Sequence, residues 1–128
     1  MKAICLDTSG WIELAVGGPN AKAFAKALLP SHPLLSSVIS LYEIRKYLTR
    51  EAGETNAQEL LAFIRNHPVI PVTEDLALYA EDLSARHQLA MADSLIYATA
   101  LTHKATLWTQ DDDFDGLPSV RYFPKIKP

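Results

Sequence analysis

Four acidic residues of this 128-residue chain stand where chemistry would need them: Asp7, Glu43, Asp93 and Asp111. Asp7 follows the apolar run Ile4-Cys5-Leu6, and Asp111 follows Thr106-Leu107-Trp108-Thr109. If both runs are strands of one parallel sheet, both carboxylates lie beyond the strands' carboxyl ends, where such sheets bind ligands. Asp7 also suits a plainer task, capping the helix that follows it. Asp93 is the only charged residue from Gln88 to Thr102. An isolated carboxylate on so apolar a helix is costly unless a cation or hydrogen bonds compensate it. Its place in the first helical turn brings the helix dipole to its aid. Glu43 has Ile39 and Tyr47 one turn away, so its helix face is not purely solvated, although most helical glutamates are surface residues.

A donor set of carboxylates alone suits hard cations, Mg²⁺ or Mn²⁺. Such a site can activate a water and stabilise the leaving oxygen of a phosphodiester. The run Asp111-Asp112-Asp113-Phe114-Asp115-Gly116 repels itself unless a cation or solvent intervenes. It resembles the start of a calcium loop. That motif needs a glutamate at its twelfth position, where Tyr122 stands, and a helix before it, where a strand is expected. Zinc is disfavoured, because His32, His67, His87 and His103 are scattered and read as surface or helix-end residues. There is no nucleophile elbow and no glycine-rich phosphate loop.

The elements that would position these acids alternate. Strands are expected at Lys2 to Leu6, briefly near Leu34-Leu35, at Val69 to Val72, at Thr106 to Thr109 and, as a last edge strand, at Val120 to Phe123. A helix from Thr8 to Val16 stops at Gly17-Gly18-Pro19, and Asn20 is placed to cap a second helix to about Leu29. Ser36 or Ser37 caps a long helix to about Arg50, with Val38, Leu41, Ile44 and Leu48 on its apolar face. Helices follow at Thr55 to Asn66, at Glu74 to about Gln88 with Thr73 as cap, and at Met91 to His103. Strands separated by helices predict an α/β fold with a mainly parallel sheet covered on both faces, in one domain spanning residues 1–128.

The net charge of −3 argues against a surface coated in positive charge for gripping nucleic acid, but leaves room for a local basic patch. Arg45, Lys46 and Arg50 share the helix of Glu43 and are candidate phosphate contacts; ordinary solvated helix charges are the alternative. The lone cysteine, Cys5, forms no internal disulfide and fits a core position in a reducing cytosol. The N-terminal apolar run is too short for a signal-peptide core, and no run approaches a membrane span.

Four segments together resemble a PIN domain, and more narrowly a VapC-type toxin of a toxin–antitoxin pair. They are Leu6-Asp7-Thr8-Ser9, Tyr42-Glu43-Ile44, Ala92-Asp93-Ser94-Leu95-Ile96-Tyr97-Ala98 and Leu107-Trp108-Thr109-Gln110-Asp111-Asp112-Asp113-Phe114. Each is short, but their order and spacing fill the whole chain. The resemblance implies a three-layer α/β/α fold and Mg²⁺- or Mn²⁺-dependent endonucleolytic cleavage of RNA. It implies that Asp7, Glu43 and Asp93 are core acids and metal ligands, with Asp111 the fourth. Asp113 is a possible sharer of that role. Thr8 and Ser9 match hydroxyl positions beside the first acid. The resemblance also implies a cytoplasmic homodimer restrained by a cognate VapB-like antitoxin. A basic side chain of that partner would suit the acidic pocket, with Trp11 either a wall of the partner's groove or plain core. Two other readings stand beside it. A phosphatase forming an aspartyl-phosphate on Asp7 would favour an acid two residues later, where Ser9 stands. A non-catalytic cation-binding or partner-binding module would have no activity to lose.

Overall fold

The computed structural model describes residues 2–127. Five strands, β1 (Ile4–Leu6), β2 (Leu34–Ser37), β3 (Val69–Ile70), β4 (Thr106–Thr109) and β5 (Val120–Tyr122), form one sheet in the order β3-β2-β1-β4-β5. All neighbours pair in parallel. Among the described residues there are six α-helices: α1 (Thr8–Val16), α2 (Ala21–Ala25), α3 (Val38–Ala52), α4 (Glu54–Ile64), α5 (Glu74–His87) and α6 (Met91–Thr102). Among the described residues no helix is long and apolar enough to cross a membrane.

The short strands are apolar throughout because both faces of the sheet are covered. Alternate residues enter alternate cores, as the two-residue period of a strand requires. Ile4, Leu6, Leu34 and Trp108 pack with Trp11, Phe24, Ile44, Leu48 and Leu61 on one side. Cys5, Leu35 and Leu107 pack with Leu76, Leu83, Ile96 and Tyr97 on the other. Helices α1 to α4 thus cover one face and α5 and α6 the opposite one, the three layers expected. Chain order runs outward from β1 through β2 to β3, then returns to β4 on β1's other side. The strand order therefore reverses between β1 and β4, and a crevice opens at their carboxyl ends.

Several expected boundaries move. The second helix does not reach Leu29: α2 ends at Ala25 and tightens into a 3-10 turn at Lys26–Leu28. Leu29 is already extended, as the residue before a proline must be. Asn20 makes no side-chain cap; its amide is used elsewhere. The segment near Leu34-Leu35 continues to Ser37, whose hydroxyl accepts from Ile39 N and caps α3. The expected Val69 to Val72 strand stops at Ile70, since Pro71 has no N–H to continue the ladder. In α3, Ile44 and Leu48 are buried and Leu41 partly so, but Val38 at the helix start is 36% exposed and leaves the apolar stripe.

Two side chains take the less exposed of their possible roles. Trp11 is core, 1% exposed, with Nε1 donating to Ser36 Oγ at 2.8 Å. Truncating a ring so enclosed costs about 3 to 5 kcal/mol. His67 is not a plain surface residue: its ring packs against Phe63 and Trp11, with centroids 5.6 Å and 6.4 Å away.

Candidate active site

Four elements deliver one acid each to the β1/β4 crevice. Asp7, Thr8, Ser9, Ile12, Glu43, Asp93 and Asp111 line a pocket of about 230 Å³. Asp7 directly follows β1 and Asp111 lies two residues beyond β4; Glu43 is on the second turn of α3, and Asp93 is in the first turn of α6. Because the helices of a parallel α/β sheet run back against the strands, the start of α6 and the ends of β1 and β4 fall on one rim.

Asp7 is 3% exposed and takes the capping role expected of it while standing at the pocket. It caps α1 by accepting from Ser9 N at 3.3 Å, and it lines the pocket. Its Oδ2 also accepts from Ser9 Oγ at 2.7 Å and Thr109 Oγ1 at 2.8 Å. Burial raises its pKa, these hydrogen bonds lower it, and the charge of Asp111 adds a smaller upward push. The net direction is up. Thr8 Oγ1 donates to Glu43 Oε1 at 2.7 Å and stands 3.0 Å from Ser40 Oγ, which ties α1 to α3 at the pocket.

Asp93 is partly buried, and its carboxyl is pushed up to about 7. Burial is the largest cause, followed by the charges of Asp111, Asp7, Asp113 and Glu43. Among the described residues no Lys, Arg or His forms an ion pair with any of the four acids. Carboxylate oxygens of Asp93, Asp111 and Asp113 all lie within 4.8 Å of one another. Asp113 is exposed and outside the lining of the small pocket, so it adjoins the site from the solvent side. Like charges held so close without a cation repel one another. This donor set, all oxygen and strongly anionic, fits a hard divalent cation.

The acidic loop is held by its one apolar member. Phe114 is fully buried, its ring 6.1 Å from that of Tyr97, and Tyr97 Oη donates to Pro118 O at 2.7 Å. Asp111 Oδ1 accepts from Asp113 N at 3.0 Å and caps a short 3-10 turn over Asp112–Phe114. A strand, not a helix, precedes this loop, which removes the calcium-loop geometry.

The three candidate phosphate contacts, Arg45, Lys46 and Arg50, are exposed on α3 and line a separate groove. Sequence reasoning missed Thr109, Gln110, Glu13 and Asn20. Gln110 N donates to Ser9 Oγ at 3.1 Å, while Gln110 Nε2 donates to Glu13 Oε1 at 3.3 Å. Asn20 N donates to Glu13 Oε2 at 2.7 Å, and Asn20 Nδ2 donates to Gln110 Oε1 and Pro124 O. No local pattern marks these residues, since their partners lie as far as 104 positions away.

The PIN domain family model matches residues 4–119. No curated protein matches the chain. Among solved structures, a toxin–antitoxin complex from Klebsiella pneumoniae is similar with a TM-score of 0.83 at 26% identity, covering 97% of this chain and 100% of that one. VapBC-5 of the VapBC toxin–antitoxin family, from Mycobacterium tuberculosis, is similar at 0.69 and 25%, covering 98% and 100%. VapC20 of the same organism, a sarcin–ricin loop cleaving toxin, reaches 0.76 at 22%, covering 98% and 100%; at that identity the likeness is one of fold. With a family match over nearly its whole length, the chain belongs to the PIN-domain family, and its structural likenesses include VapC toxins of toxin–antitoxin systems.

Proposed function

We propose that this chain is a Mg²⁺- or Mn²⁺-dependent endoribonuclease, the toxin of a toxin–antitoxin pair. One observation carries the reading: four carboxylates from four segments line one small pocket, and among the described residues no basic side chain pairs with them. A fold tolerates such repulsion where a ligand relieves it. Family membership and the likeness to a Klebsiella toxin–antitoxin complex support the same conclusion.

Asp7, Glu43, Asp93 and Asp111 would hold the metal, with Asp113 able to share the place of Asp111. A divalent cation bound there supplies two things, acidification of water and compensation of charge on a phosphodiester. The chain's own residues do the rest. Ser9 and Thr109 fix Asp7 Oδ2, Thr8 fixes Glu43 Oε1, and Asp93 must give up its proton to become a ligand. Arg45, Lys46 and Arg50 would meet the substrate's phosphates.

The test is RNA cleavage by the purified chain with Mg²⁺ or Mn²⁺, with excess EDTA, and by Asp7→Asn and Asp93→Asn. Cleavage should need the metal and fail in both variants while they remain folded. Undiminished cleavage in EDTA would overturn the metal reading. Intact RNA under every metal condition would overturn the ribonuclease.

A further inference from the structure

Two acids of the pocket, Asp7 and Glu43, are held in different ways. Asp7 takes two hydroxyls directly on Oδ2, from Ser9 and Thr109. Glu43 takes one, from Thr8 Oγ1 at 2.7 Å on Oε1. Behind Thr8 stands Ser40, its Oγ 3.0 Å from the same threonine oxygen. A glutamate has one more side-chain torsion to fix than an aspartate, so a single donor leaves it freer. Ser40 sits in the first turn of α3, three residues before Glu43 and therefore on the same helix face. It is fully buried, whereas Thr8 and Glu43 are half-buried.

Counting protons gives these contacts a direction. A threonine hydroxyl carries one proton and two acceptor lone pairs, and a carboxylate can only accept. The Thr8 proton is therefore spent on Glu43, the shorter contact. The second contact then runs the other way, with Ser40 Oγ donating to Thr8 Oγ1. Among the described residues the Ser40 hydroxyl has no other hydrogen-bond partner. A buried hydroxyl without a partner is costly, so Ser40 holds Thr8 in this orientation. Hydrogen bonds in a chain polarise one another, and this chain ends on an anion that lines the pocket.

We propose that Ser40 is a positioning residue for Glu43: by donating to Thr8 it aims the Thr8 proton at Oε1 and fixes the carboxylate in the pocket. Ser40 touches neither metal nor substrate and acts only through Thr8. This rests on the proposed metal-dependent function and names what holds the one acid of the four with the longer side chain.

The experiment combines Ser40→Ala with Thr8→Val in a double-mutant cycle. It is read twice on the full chain, by calorimetric Mn²⁺ titration and by denaturant unfolding in EDTA. In the parent, Ser40→Ala should weaken Mn²⁺ binding by about two- to tenfold, the worth of one hydrogen bond. Thr8→Val should weaken it by about 10- to 100-fold. Adding Ser40→Ala to Thr8→Val should change it no further, since the chain is already cut. Metal-free unfolding should show a reversal of sign. Ser40→Ala should lower the denaturant midpoint of the parent but raise that of Thr8→Val, where the buried Ser40 hydroxyl is stranded. A residue that only packs would lower both midpoints alike and weaken Mn²⁺ binding equally in both backgrounds; either result overturns the proposal. So does a parent Mn²⁺ affinity untouched by Ser40→Ala. Reversed midpoints in a chain that binds no Mn²⁺ would keep Ser40 as the support of Thr8 and Glu43 and remove the metal reading instead.

Discussion

Thr109 Oγ1 donates to Asp7 Oδ2 at 2.8 Å and accepts from Asp111 N at 2.9 Å. One fully buried hydroxyl thus clips the acid at the end of β1 to the backbone of the acid beyond β4. The pairing of Leu6 with Trp108 puts the two strand ends side by side, and the clip extends that register into the site.

Thr109→Val keeps the shape and β-branching but removes both hydrogen bonds. A carboxylate left short of a donor and a backbone N–H left short of an acceptor should lower stability by about 1 to 3 kcal/mol. Loss of a group that orients ligands should weaken Mn²⁺ binding by about 10- to 100-fold. Thr109→Ser keeps the hydroxyl and should restore most of the metal affinity. Calorimetric Mn²⁺ titration of the three proteins decides it; equal affinities would make Thr109 a packing residue only.

Asp93 sets a pH dependence on the metal-free fold. Its carboxyl ionises near 3.8 when unfolded and is pushed up to about 7 in the fold. As pH rises through that window the unfolded chain releases its proton first, so folding loses this contribution. The contribution is complete below pH 3.8 and gone above about 7. Because Asp93 is only partly buried, the loss is on the order of 1 to 2 kcal/mol. Denaturant unfolding in EDTA at pH 5 and pH 8 should show a larger decline for the parent than for Asp93→Asn, which has no proton to lose. Identical declines would show that Asp93 is not the strained acid. Mn²⁺ affinity should climb over the same window as the competing proton leaves.

Much of this architecture is legible in the chain. Alternating apolar runs and helical stretches reveal the parallel sheet, and Asp93 stands out because nothing else from Gln88 to Thr102 is charged. What escapes the sequence is contact between distant segments. Asn20 looks like a helix cap because asparagine is good at it, yet its amide is drawn to Gln110 and the backbone of Pro124. Thr109 looks like any β-branched strand residue, and only the β1–β4 pairing gives its hydroxyl a purpose. Val38 fits the helical stripe by spacing but lies at the helix's exposed start. Local propensity chose the element type in each case, and tertiary contact chose the role.

The Glu13 network makes a separable prediction. Glu13 is 9% exposed and joins Asn20 to Gln110, which in turn donates to Ser9 beside Asp7. A Cβ on Gly18 would run into the Glu13 carboxylate, whereas one on Gly17 meets open space and suffers only from its φ of +67°. Gly18→Ala should therefore cost about 1 to 3 kcal/mol and also weaken Mn²⁺ binding. Gly17→Ala should cost about 1 kcal/mol and leave Mn²⁺ binding alone. Parallel unfolding and titration of both variants check the pair. Equal metal affinity in the two would confine the network to holding the fold together.

The last prediction concerns restraint. If the chain is the toxin of a pair, its partner must silence an acidic pocket that repels itself when metal-free. An arginine offers a rigid, bidentate fork matched to carboxylates. A basic side chain of the antitoxin should therefore enter among Asp7, Glu43 and Asp93 and compete with Mg²⁺. Its apolar neighbours cannot use Trp11, which is sealed in the core at 1% exposure. They have instead the groove of about 440 Å³ lined by Val16, Leu48, Leu60 and Phe63, where Val16 and Phe63 are 57% and 44% exposed. Titrating the isolated pair with Mg²⁺ should weaken partner affinity in step with metal occupancy, and Asp93→Asn should reduce both the affinity and its Mg²⁺ dependence. Phe63→Ala should reduce affinity without altering the Mg²⁺ dependence, since the groove holds no acid of the pocket. An affinity indifferent to both Mg²⁺ and Asp93→Asn would mean that the partner restrains the enzyme without occupying the acidic pocket.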